Sequence, residues 1–311
     1  MEDVLYLIIG LIALIVGGEF LVKGAIALAI RMKVSMVVIG LTVVSFATSA
    51  PELIVSVYAA LNGHPDIALG NVIGSNIANI SLVLGLTAFI FPLSFERRLY
   101  RFDIPVMLLA SVLFGLFLYS NSSLNFWEGF CFVILLLVLI IYLISKSRQE
   151  EQIHEEISSE QMSLLKLVLF LFIGGLSLYF GTQWLVGGAT GIARLIGVSE
   201  RVISVSVVAF GTSVPELSAS IIAASKKEKG LSIGNLIGSN LFNILAVMGI
   251  TSMIHPVRVV DQGLLTNDIW WMFGLALLLF PLMFFSPKKR IGRVEGFVLF
   301  VLYLVYIFFL F

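Results

Sequence analysis

Two stretches of this chain are near-copies of two others. SFATSAPELIVS (45–56) aligns with AFGTSVPELSAS (209–220), and GNVIGSNIANI (70–80) with GNLIGSNLFNI (234–244), both at one constant offset without a gap. Weaker matches at that offset extend outwards: FLVKGA (20–25) with WLVGGA (184–189), Val34-Ser35 with Val198-Ser199, and Pro92 with Pro256. How the two halves lie depends on what separates the copies. Ten apolar runs succeed one another, roughly at 3–28, 35–60, 66–92, 102–120, 126–145, 163–190, 200–224, 231–254, 267–286 and 292–311. A run of ~20 apolar residues crosses the ~30 Å hydrocarbon core of a bilayer. Five runs fall in each half. Five is odd, so the second half enters the membrane from the opposite side, which makes an inverted-topology repeat. Secondary transporters are built this way, with a site near the bilayer midplane.

Composition agrees. The chain is 59% hydrophobic and 12% charged, against ~25% charged for a soluble domain. The expected fold is an all-α polytopic membrane protein of ten transmembrane helices in two inverted five-helix repeats, 1–145 and 163–311, joined by a polar cytosolic linker at 146–162. The first run lacks a small-residue cleavage site and reads as a retained helix. Cytoplasmic loops collect Lys and Arg. Fifteen such residues fall on the connections opposite the N-terminal face, among them Arg31, Arg97, Lys146, Lys226 and Lys288, while only Arg194, Arg201 and Arg258 fall on that face. Both termini are therefore expected outside the cytoplasm of a cell (inner) membrane. The zero net charge is made of caps and loops, so the partner is the lipid bilayer and not nucleic acid, and no obligate protein partner is evident. Cys131 is the only cysteine, which excludes an internal disulfide and a thiolate metal site. His64, His154 and His255 read as surface or helix-end residues.

The chemistry lies in the copied stretches. Pro51 has no N–H, so the carbonyl of Ala47 loses its helical partner, and Pro215 does the same to Gly211. The neighbouring carbonyls of Thr48 and Thr212 are expected to splay as well. Exposed carbonyls at membrane depth persist only where they line a cavity or find a partner. Glu52 and Glu216 stand in otherwise apolar helices, where a lone charge costs at least ~2.5 kcal/mol. Lys23 is the one cation inside a helix core, with Glu19 one turn before it, and it cannot neutralise two further glutamates. Ser75 and Asn79, like Ser239 and Asn243, are four apart and share a helix face. Gly70, Gly74, Gly234 and Gly238 are expected to let backbones approach closely. An oxygen-only donor set selects Na⁺, Ca²⁺ or Mg²⁺, and flexible oxygens favour Ca²⁺ over Mg²⁺. Two carboxylates neutralise one Ca²⁺; the same oxygens regrouped hold several Na⁺ or two protons.

The paired G-T-S-x-P-E and G-S-N-x-x-N motifs closely resemble the two alpha-repeats of the cation/Ca²⁺ exchanger superfamily, in its short prokaryotic sodium/calcium exchanger branch. The resemblance covers nearly the whole chain. It implies Ca²⁺ held by the carboxylates of Glu52 and Glu216 and the carbonyls of Thr48 and Thr212. It implies Na⁺ sites at Ser49, Ser75 and the carbonyl of Ser45 on one side, and at Ser213, Ser239 and the carbonyl of Ala209 on the other, with Asn79 and Asn243 lining the centre. It also implies that the first and sixth helices slide over the rest, for which Gly17-Gly18 and Gly187-Gly188 would suit the contact. Two positions depart from the pattern. Ala47 stands where glycine is usual, and asparagine fills both central positions where well-studied sodium/calcium members have one aspartate.

The expected function is thus a secondary antiporter, not an enzyme, with Na⁺ and Ca²⁺ as the transported ions. A Ca²⁺/H⁺ antiporter using the same two glutamates is the nearest alternative. An intramembrane hydrolase is more remote, since the acids adjoin prolines with no Gly-x-Gly-Asp pattern and no metal-binding His pair. A non-transporting scaffold would tolerate Ala at Glu52 and Glu216, and a channel would show flux above carrier rates.

Overall fold

A backbone in hydrocarbon must satisfy its own N–H and C=O groups, so apolar runs of this length become helices. The computed structural model describes residues 2–95, 97–151, 162–197, 209–284 and 290–310. In chain order the helices are α1 (Glu2–Met32), α2 (Met36–Leu61), α3 (Pro65–Ile90), α4 (Leu99–Asn121), α5 (Phe126–Glu151), α6 (Leu164–Leu195), α7 (Ala209–Thr212), α8 (Val214–Ser225), α9 (Lys229–Ile254), α10 (Leu264–Met283) and α11 (Arg293–Phe309). Among the described residues, 8 helices are long and apolar enough to cross a membrane. The seventh run is described only from residue 209 onwards, as α7 and α8, and the tenth becomes the 17-residue α11. Most of the linker, with His154, lies outside the described residues, as do Ser199, Arg201, Lys288 and Lys289.

Burial sorts the helices. Of the most apolar stretch of each span, 78% is buried in α3 and 83% in α9, against 28% in α1 and 22% in α6. The two helices carrying the Gly-Ser-Asn copies are therefore the centre of the bundle, and α1 and α6 stand at its rim. Helix α1 carries Gly10, Gly17 and Gly24, and α6 carries their repeat partners Gly174, Gly181 and Gly188, at the same seven-residue spacing. Seven residues are close to two turns, so each trio forms one stripe. A Cβ on Gly17 would lie 3.0 Å from the Gly174 carbonyl oxygen, and one on Gly181 would lie 3.1 Å from that of Gly10. Low numbers on one helix meet high numbers on the other, so α1 and α6 run antiparallel in close backbone contact. This corrects the expected role of the glycine pairs. Gly17 and Gly188 bind α1 to α6, Gly18 faces Ile222 of α8, and Gly187 has nothing within 4 Å among the described residues. The stripe period, not adjacency in sequence, decides which glycine makes contact.

The all-α expectation also misses two short antiparallel ladders. β1 (Leu93–Ser94) pairs with β4 (Arg290–Ile291), and β2 (Ser123–Leu124) pairs with β3 (Val257–Arg258). Chain leaving a helix still has backbone groups to satisfy, and here each half satisfies them on the other.

Candidate functional site

The glutamates sit where α2 and α8 pass the central helices. Glu52 is 1% exposed and Glu216 is 0% exposed. Neither oxygen of the Glu52 carboxyl has a hydrogen-bond partner among the described residues. Ser49 donates to Oε1 of Glu216 at 3.2 Å, while Oε2 has no partner among the described residues. The hydroxyls of Ser75 and Ser213, the carbonyl oxygen of the Asn243 amide and both polar atoms of the Asn79 amide are likewise buried without partners among the described residues. Buried polar atoms are nearly always bonded, so such a group of bare atoms, almost all oxygens, marks a place built to receive something. Among the described residues no three His, Cys, Asp or Glu gather as a metal cluster. The donors are two carboxylates within a neutral oxygen cage, which suits a hard cation bound from outside.

Local structure aims these side chains. Both copies of the Gly-Ser-Asn motif end in a π-helical turn, Asn79–Val83 in α3 and Asn243–Met248 in α9. The extra residue in such a turn re-aims the side chains beyond it, and these turns are frequent at functional sites. Asn243 donates to the Asn76 amide oxygen at 3.1 Å, which leaves the Asn243 oxygen as the atom presented to the site. The side chains of Thr48 and Ser239 meet at 3.3 Å. Ser45 bonds backbone, at 2.7 Å from the Gly40 carbonyl and 2.9 Å from that of Asn235, while its own carbonyl accepts from Thr48 at 3.4 Å. Thr212 and Ser75 stand on the wall of a cavity of about 460 Å³ that runs towards Asp261 and Leu310. Ala209 opens α7, and no contact among the described residues places its carbonyl with these oxygens.

The two prolines do not act alike, although each takes the helical partner from one carbonyl. Helix α2 continues through Pro51. The second copy breaks: α7 ends at Thr212, Ser213 takes φ −94° and ψ 3°, and α8 begins beyond it. Gly211 precedes the break where the first copy has Ala47, and glycine gives up about 1 kcal/mol of helix stability relative to alanine. Ala47→Gly is accordingly expected to lower unfolding stability by about 1 kcal/mol, read as a lower thermal midpoint in detergent. An unchanged midpoint would mean that packing alone holds this turn.

The glycine expectation also holds for one half only. A Cβ on Gly238 would lie 2.6 Å from Leu41 Cα, and one on Gly234 would lie 3.1 Å from Gly40 Cα, so α9 presses on α2. Gly70 has only a Leu264 methyl at 3.9 Å, and Gly74 has nothing within 4 Å among the described residues. Both line the cavity instead.

The residue-by-residue reading of the sequence misses the other asparagines. Asn71 donates to the carbonyl of Glu52 at 3.2 Å and to the Ser56 hydroxyl at 3.0 Å. Asn235 makes the same pair of bonds, to Glu216 at 3.5 Å and Ser220 at 3.1 Å. Every member of one set is the repeat partner of a member of the other. The doubled Gly-Asn at the head of each motif is the signal that could have found them.

Known proteins resemble this chain along nearly its whole length. The family model described as "Sodium/calcium exchanger protein" matches residues 3–145 and 166–311. CaxA of Alkalimonas amylolytica is 38% identical, over 99% of this chain and 98% of its own. The sodium/calcium exchanger MaX1 of Methanosarcina acetivorans is 30% identical, over 99% and 98%. A solved structure of the sodium-calcium exchanger NCX_Mj superposes with a TM-score of 0.84 at 31% identity, covering 100% of this chain and 99% of that one. With family and relatives matched from end to end, and a bundle that carries its bare oxygens at the centre, this chain belongs to the sodium/calcium exchanger protein family.

Proposed function

We propose that this chain is a secondary antiporter of the cytoplasmic membrane that exchanges Ca²⁺ for Na⁺ by alternating access. The observation that carries the reading is the pair of buried carboxylates with three bare oxygens and no cationic side chain against them among the described residues. Two buried charges in hydrocarbon need a counter-charge, and one Ca²⁺ supplies it. Ca²⁺ takes six to eight oxygens in a flexible shell. Glu52 and Glu216 give the charge, and the carbonyls of Thr48 and Thr212 complete the centre. Ser49, Ser75 and the Ser45 carbonyl form one flanking Na⁺ site; Ser213, Ser239 and the Ala209 carbonyl form the other. Asn79 and Asn243 line the middle. Because Na⁺ and Ca²⁺ draw on shared oxygens, occupancy by one excludes the other, which is the physical basis of exchange.

The topology that goes with this reading is ten spans in two inverted halves, 1–145 and 163–311, with both termini extracytoplasmic. The Lys and Arg distribution supports it, as does the antiparallel α1–α6 pair. In that frame the cavity at Ser75 and Thr212 opens to the extracytoplasmic side, and the α2–α9 seam closes the cytoplasmic side. Asparagine at both central positions leaves the two glutamates as the titratable groups of the cage, and this favours Ca²⁺/H⁺ exchange as the second reading.

Uptake of ⁴⁵Ca²⁺ into proteoliposomes separates the two. An outward Na⁺ gradient is expected to drive accumulation, and a pH gradient without Na⁺ is not. The reverse pattern establishes the second reading. If neither gradient moves Ca²⁺, the antiport assignment fails.

A further inference from the structure

The two asparagine sets are identical in one respect and different in another. Each amide nitrogen spans a glutamate carbonyl and the serine hydroxyl one turn later, which pins the third helix of its half to the turn that carries the charge. The oxygens differ. Oδ1 of Asn235 accepts the Thr48 hydroxyl at 3.2 Å, across the two halves. The same seam is closed by Ser45 on the Asn235 carbonyl at 2.9 Å and by Gly234 and Gly238 against α2. The repeat partners of Asn235 and Thr48 are Asn71 and Thr212. These stand on the walls of the 460 Å³ cavity.

We propose that Asn71 and Asn235 are a matched pair of positioning residues at the exchange site. Each amide nitrogen fixes the glutamate turn of its own half, and each amide oxygen takes the threonine of the opposite half, Thr48 or Thr212, on whichever side is shut. The inference rests on the alternating-access reading above and adds to it the contact that distinguishes one access state from the other. In the conformation described, Asn235 holds Thr48 and the α2–α9 seam is closed. In the opposite one, Asn71 takes Thr212, the cavity collapses, and the Thr48–Asn235 bond opens. Since each asparagine keeps its bonds to the glutamate turn throughout, opening and closing one side moves the other half's threonine against an already fixed carboxylate. Asparagine suits the task because it donates and accepts at once; an aspartate would lose the donor half and add a charge.

The test reads the cavity directly. In a Cys131→Ser background, Gly74→Cys places a thiol on the cavity wall, and a cationic methanethiosulfonate reports its accessibility in detergent, in K⁺ buffer with EDTA. Asn235→Ala removes the bond that keeps this side open, so the ratio of open to shut molecules is expected to fall about fivefold, the equilibrium value of one hydrogen bond, and the labelling rate to fall with the open fraction. Thr48→Val removes the same bond from the other end and is expected to act in the same direction, which covers the case of an unfolded Asn235→Ala protein. Asn71→Ala removes the rival bond and is expected to leave labelling equal or faster; combined with Asn235→Ala it is expected to restore the parent rate. Asn71→Ala and Asn235→Ala slowing labelling alike would overturn the proposal, as would folded Asn235→Ala and Thr48→Val proteins labelling at the parent rate. No transported ion enters this measurement. Failed Ca²⁺ flux with the opposed labelling pattern intact therefore counts against the antiport reading alone, and the converse counts against the asparagine pair alone.

Discussion

Glu52→Gln and Glu216→Gln proteins are each expected to lose gradient-driven ⁴⁵Ca²⁺ uptake by roughly 10²–10³-fold, the penalty for breaking a fully buried charge pair. The glutamine keeps the shape and one oxygen, so the loss belongs to the charge. Stability is expected to move the other way. Without divalent cation, the wild-type bundle buries two carboxyl groups of which three oxygens have no partner among the described residues, and replacing one of them removes a costly buried acid. In EDTA the Glu52→Gln protein is therefore expected to melt above wild type, and added Ca²⁺ is expected to raise the wild-type midpoint while leaving the variant unmoved. The two readouts together are specific. A glutamate that served only the fold would lower the midpoint when replaced and leave the Ca²⁺ shift intact. If Glu52→Gln protein transported at the wild-type rate, the cage would have to be sought elsewhere.

The second large effect sits on adjacent glycines. Gly188→Ala puts a Cβ 2.6 Å from the backbone nitrogen of Leu7, a contact no side-chain rotation relieves, so α1 and α6 must separate. Overpacking of this kind costs about 1–3 kcal/mol, and both the thermal midpoint and the transport rate are expected to fall. Gly187→Ala, one residue earlier, meets nothing within 4 Å among the described residues and gains helix propensity, worth about 1 kcal/mol in the favourable direction. Opposite signs at neighbouring positions distinguish a specific backbone seam from general intolerance of this helix. A midpoint lowered equally by both would contradict the stripe.

The features legible in the sequence are those that physics forbids unless they are used. A glutamate beside a proline in an apolar run is costly wherever it appears, and its reappearance at the matching position of the second copy makes accident untenable. Glu52 and Glu216 are reached that way, Ser75 and Asn243 by the helix face that each shares with Asn79 or Ser239, and Ser49 and Ser213 only through the family resemblance; the structure buries each of them. What cannot be read is the asymmetry. The copies are nearly identical as strings, yet α2 stays helical at Pro51 while α7 and α8 part at Ser213, and Gly238 is packed where Gly74 faces a cavity. A duplicated sequence prescribes two equivalent local environments, whereas a single conformation gives the copies different neighbours. The difference in packing belongs to the state of the molecule, while Ala47 against Gly211 adds a residue difference that favours the break in the second copy. The π-helical turns are unreadable for another reason. Propensity does not separate a π turn from an α turn, and those at Asn79 and Asn243 begin beside the contacts that Asn76 makes with Asn240 and Asn243 between α3 and α9.

The seam between α1 and α6 also sets the order in which the protein can be made. The glycine stripe of α1 leaves the ribosome first, and its close-fitting surface, the stripe on α6, ends at Gly188. At ~5–20 residues per second, α1 waits roughly 10–30 seconds for it. Throughout that interval Gly10, Gly17 and Gly24 lack the α6 surface that they meet in the folded bundle. The first half is thus inserted well before it is finished, and its rim closes only when the second half arrives.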